Sequence, residues 1–81
     1  MANRWQIMQK RTDRGIERTT TNDEIEMRKI VRDLQRSSKT LYIVVKDRVM
    51  NRRGMVWKKH DSTEIDWWIL ADTPPEITFK K

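Results

Sequence analysis

One segment of this chain carries its apolar residues at helical spacing, and it is the only one that does. Met27, Ile30, Val31 and Leu34 recur at i, i+3, i+4 and i+7, a single stripe. Arg28, Lys29, Arg32 and Arg36 fall off that stripe. The stripe is too short and too singly faced for a coiled coil. Ahead of it, Thr21-Asn22-Asp23-Glu24 has the form of a capping box, with Thr21 capping the third helical amide and Glu24 reaching back. Asp23, Glu24 and Glu26 fall in the first turn, where the helix dipole favours negative charge. Ser37-Ser38 closes the pattern, so the spacing predicts one helix over about 22–37.

The remaining apolar residues follow strand patterns. Trp5 and Ile7 alternate against Gln6 in a short half-buried strand. Thr12-Asp13-Arg14-Gly15 has turn chemistry, Gly15 accepting a positive φ. Ile16 to Thr20 reads either as the return strand of a first hairpin or as a loop, because it holds few apolar residues. Leu41-Tyr42-Ile43-Val44-Val45 is the β-branched run of a central strand. It continues through Lys46 to Met50, reaches a turn at Asn51 to Gly54, and returns as Met55 to Lys59. Asp61-Ser62-Thr63 reads as another turn and Ile65 to Ala71 as a third strand. Pro74 and Pro75 break the chain before a last strand at Glu76 to Lys80, expected at an edge. The expected fold is a single small α+β domain over 1–81. It has an N-terminal strand or hairpin, one helix, then an antiparallel meander of three to four strands.

Composition narrows the chemistry. With no cysteine there is no disulfide framework, thiolate zinc site or Cys nucleophile. No apolar run is long enough to span a membrane. The first twenty residues hold Arg4, Lys10, Arg11, Arg14 and Arg18 without an apolar core, unlike a secretory signal. An intracellular chain with no membrane partner is therefore expected. His60 is the only imidazole, so neither a catalytic triad nor an ordinary zinc site can be assembled. The two glycines are far apart, which excludes a Gly-rich phosphate loop. Glu64 and Asp66 share a strand face near Asp61 and Asp72, a geometrically possible metal site, but pairing with basic residues elsewhere is the simpler reading. The expectation is a non-enzymatic domain with no cofactor and no metal.

Charge is the functional signal. The net charge is +6, and it is unevenly spread. Residues 41–60 hold six cations against one carboxylate, whereas residues 61–81 hold two cations against five carboxylates. Pairing the hairpin 46–59 across Asn51 to Gly54 sets Met50 opposite Met55, Val49 opposite Val56, Arg48 opposite Trp57, Asp47 opposite Lys58 and Lys46 opposite Lys59. Leu41, Ile43, Val45, Val49 and Val56 then form a core face. Tyr42, Lys46, Arg48, Met50, Met55, Trp57 and Lys59 form the other. Arg52 and Arg53 are expected at the tip.

This arrangement points to nucleic acid, DNA or RNA. Lys46, Arg48, Arg52, Arg53, Lys58 and Lys59 would contact phosphates, with Trp57 and Tyr42 as stacking platforms. The alternative is a small protein-interaction module, an inhibitor or accessory subunit, docking on an acidic protein surface. Trp67 and Trp68 read as core on opposite strand faces, or else Trp68 with Leu70 is an exposed anchor. A homodimer through the last strand is a further structural possibility.

Overall fold

Alternation sends Trp5 and Ile7 to one side of the first strand, and the helix lands on that side. The computed structural model describes residues 3–61 and residue 63. Five elements follow in order: β1 (Trp5–Arg11), β2 (Gly15–Thr21), α1 (Glu24–Gln35), β3 (Thr40–Asp47) and β4 (Arg52–Lys58). The strands make one antiparallel sheet in the order β2-β1-β3-β4. The α+β class matches the expectation, and so, among the described residues, does the order of N-terminal strands, one helix and then antiparallel strands, of which two are described. The N-terminal part is a full hairpin, and Ile16 to Thr20 is strand. The expectations for Trp67 and Trp68, for strands at 65–71 and 76–80, for Glu64, Asp66 and Asp72, and for dimerisation through the last strand lie outside the described residues. Among the described residues, no helix is long and apolar enough to cross a membrane.

The first hairpin turns over residues 12–14, with Arg11 opposite Gly15. Gly15 sits at φ 74, a left-handed conformation that glycine adopts without steric penalty. Around this turn the charges neutralise each other. Arg11 Nε lies 3.0 Å from Asp13 and 3.6 Å from Glu17, and Arg14 also reaches Glu17. The Arg11 guanidinium holds the Asp13 carboxyl below its ordinary range.

The helix begins two residues later than the capping-box reading implied. Asp23 is the N-cap, and its carboxylate accepts from the Ile25 amide at 2.9 Å. Thr21 cannot cap because it is still strand, paired with Trp5 and buried. Its hydroxyl instead accepts from the Asp23 amide at 3.1 Å. The stripe packs as its spacing predicts: Met27 and Val31 are buried, with Ile30 and Leu34 half-buried beside them. Each fully buried side chain of this size contributes about 2 kcal/mol.

Both faces of the sheet are apolar at the centre. Trp5, Ile7, Ile43 and Val45 meet Met27 and Val31 under the helix. Met8, Tyr42 and Val44 form a second cluster, flanked by Ile16, Leu41 and Met55. A continuous run such as Tyr42-Ile43-Val44-Val45 is the pattern of a strand buried on both sides, and all four residues are at most 1% exposed.

Candidate nucleic-acid interface

Asp47 determines where the second hairpin turns. Its carboxylate accepts from the Val49 amide at 3.1 Å and the Met50 amide at 3.2 Å, closing the chain directly after β3. The Arg48 amide donates to the Arg4 carbonyl at 2.8 Å. Asn51 takes φ 51 and leads into β4. Asparagine is among the few side chains that tolerate this region. The turn therefore occupies Arg48 to Asn51, not Asn51 to Gly54 as the sequence suggested.

The register moves with it. Asp47 faces Arg52, Lys46 faces Arg53, Val45 faces Gly54 and Val44 faces Met55. A bulge follows, and Ile43 faces Trp57 while Tyr42 faces Lys58. Val56 is the extra residue, so Val56 and Trp57 both pack toward the helix-side core. The pairings Lys46 with Lys59, Arg48 with Trp57 and Asp47 with Lys58 do not occur.

These shifts sort the expected site residues into two groups. Lys46, Arg48, Arg52 and Arg53 come together at the turn end of the hairpin, within two residue rows, about 7 Å along the strands. Arg52 and Arg53 belong to β4, and the tip itself is Arg48, Val49, Met50 and Asn51. Lys58 and Lys59 stand at the other end of β4, roughly 14 Å or more away along the strand. Lys59 is tied to the loop after α1, its Nζ donating to the Ser38 carbonyl at 3.4 Å.

The geometry removes one of the two aromatic platforms and partly covers the other. Tyr42 is 0% exposed in the second core cluster, so no base can reach its ring. Trp57 is half-buried and packs against the helix-side core, which leaves only part of its ring accessible. Val49 is not a core residue, and Met50 does not face Met55. They are 67% and 60% exposed at the tip.

The electrostatics of the turn end are one-sided. Asp47, 1% exposed, is held by a two-pronged guanidinium: Arg4 Nε to Oδ1 at 3.1 Å and Arg4 Nη2 to Oδ2 at 3.0 Å. That contact, helped by the two turn amides, holds the Asp47 carboxyl below its usual range. It also raises the Arg4 guanidinium. Arg4 further stacks on Trp5, 4.8 Å from the ring centre. Asp47 is thus already neutralised by a residue of β1's approach. Among the described residues no carboxylate lies within ion-pair distance of Lys46, Arg48, Arg52 or Arg53.

Sequence reasoning missed Arg4 and Asp47. A lone acid in a run of cations, two residues before an amide-rich turn, was the available signal for Asp47. Nothing local signals Arg4, which arrives through the β1–β3 ladder. The same ladders bring Arg18, opposite Met8, onto the face that carries Lys46 and Arg53. Among the described residues no group of three or more His, Asp or Glu is placed to hold a metal. Comparison with protein-family models, curated proteins and solved structures finds no match to this chain. The chemistry of the hairpin is therefore read from its own geometry.

Proposed function

We propose that the protein is a non-enzymatic nucleic-acid-binding domain, and that Lys46, Arg48, Arg52 and Arg53 contact the phosphate backbone. One observation carries the reading. Four cations crowd the turn end of β3–β4 while its one carboxylate is occupied by Arg4. Lys46 directly opposite Arg53 is a like-charge cross-strand pair, which is locally destabilising until an anion lies over it. A polyphosphate supplies closely spaced anions of that kind.

Fluorescence anisotropy with labelled duplex and single strands, across 50–300 mM salt, tests the reading. Four phosphate contacts give a log–log slope of about −3.6 on a duplex. The double variant Lys46→Glu with Arg53→Glu should weaken binding to all sequences alike. Absence of binding at 50 mM salt, or a flat salt response, refutes it. An acidic protein surface is the second reading, favoured by the exposed Val49 and Met50, since apolar anchors ringed by arginine suit protein interfaces. Under that reading one protein complex is lost on charge reversal and nucleic-acid affinity is negligible throughout.

A further inference from the structure

The tip of the second hairpin is built against the habit of turns. Turns favour Gly, Asn, Asp, Ser and Pro, yet the middle of this one is Val49-Met50, 67% and 60% exposed. Neither side chain packs in either core cluster. The backbone beneath them is held with unusual care. Asp47 accepts from the amides of these same two residues, Arg4 grips Asp47 with both prongs, and the Arg48 amide donates to the Arg4 carbonyl. Two apolar side chains are thus presented outward on a fixed turn, with Arg48 and Arg52 exposed on either side.

We infer that Val49 and Met50 form an apolar wedge that enters the base stack of duplex DNA, with Arg48, Arg52, Lys46 and Arg53 gripping the phosphates around it. The inference rests on the nucleic-acid reading above and names its substrate: a deformable duplex, one already weakened by a mismatch. Charge complementarity selects the occupant, since the rim of the wedge is cationic. Apolar wedges that part base steps are a known mode of deforming DNA. Parting a step costs least where pairing is already broken. A mismatched site is therefore the preferred ligand.

The test compares three labelled ligands of one sequence: intact duplex, duplex with a central mismatch, and single strand. 2-Aminopurine beside the mismatch reports unstacking. Wild type should bind the mismatched duplex about tenfold more tightly than the intact one, with a rise in 2-aminopurine emission. Val49→Ser with Met50→Ser should lose that preference and that rise, with the salt slope unchanged. Both positions are exposed, so the variant should keep the wild-type circular dichroism and Tm. Equal, salt-dependent wild-type affinity for intact and mismatched duplex overturns the wedge and leaves phosphate binding standing. Absence of wild-type binding to all three ligands at 50 mM salt overturns both. Partition onto anionic phospholipid vesicles that needs Val49 and Met50, without mismatch preference, assigns the tip to a membrane surface and overturns the wedge.

Discussion

Asp47 occupies a position where a surface acid would be unremarkable, between Lys46 and Arg48, yet it is almost wholly buried. Its carboxylate joins three things: the turn amides, the guanidinium of Arg4 and the end of β3. Removing it leaves two amides and a cation without their acceptor. Asp47→Ala should therefore cost about 3 kcal/mol in urea unfolding, and Asp47→Asn less, since the amide oxygen can still cap the turn. The pH dependence has a definite sign. Arg4 and the turn amides lower the folded-state pKa of Asp47. Its stabilising contribution is thus complete above the ordinary carboxylate range and is lost as pH falls through that range toward the folded value. Melting curves should show wild type losing stability as the pH falls below the ordinary aspartate range, about 4, and Asp47→Asn losing less over the same descent. Equal losses in the two proteins would remove Asp47 from this role.

At the scale of elements, helix and hairpin differ in how far local sequence determines them. The Met27, Ile30, Val31 and Leu34 stripe repeats with the helix itself, so its buried side was legible without any partner. Its start was not. Thr21 has the right side chain for a cap, but pairing with Trp5 keeps it extended, and Asp23 caps instead. Asp23→Ala should lower stability by about 1 kcal/mol. Thr21→Val, which removes the hydroxyl and keeps the β-branched shape, should lose less than Asp23→Ala in the same thermal melts. The hairpin register was illegible for a different reason. Asn51-Arg52-Arg53-Gly54 looks like a turn, but the true turn is set by one carboxylate, and the residue that anchors that carboxylate, Arg4, comes from far away in the chain, just ahead of β1. The bulge at Val56 then sends Trp57 to the core, which no period-two count anticipates.

For the whole molecule, the strand order could not be read from the chain, because the contacts that set it join residues far apart in sequence. β1 lies at the centre, between β2 and β3, so Lys46 and Arg53 of the second hairpin share a sheet face with Arg18 of the first, while Arg52 stands on the other face beside Asp47. The balance of charge was legible; its sorting into a neutralised turn at Arg11, Asp13, Arg14 and Glu17 and, at β3–β4, cations with no carboxylate in ion-pair distance among the described residues was not. That asymmetry sets stability against binding. Lys46→Gln relieves the repulsion with Arg53, so it should raise stability by about 0.5 kcal/mol while flattening the salt slope of nucleic-acid binding by about one unit. Unfolding curves and anisotropy on the same preparation check both halves. A variant that loses stability and affinity together would mean that Lys46 serves the fold instead.

The Arg4 grip on Asp47 also has a kinetic side. Each hairpin can close through contacts within its own stretch of chain, but Arg4 reaches the second turn only once the β1–β3 ladder has zipped. Completion of the tip therefore waits on the longest-range step in assembly. The amides of Val49 and Met50, although they belong to an exposed turn, should exchange with deuterium no faster than that ladder opens. In Arg4→Ala they should exchange well ahead of it. The timing of two turn amides thus reports the joining of the two hairpins.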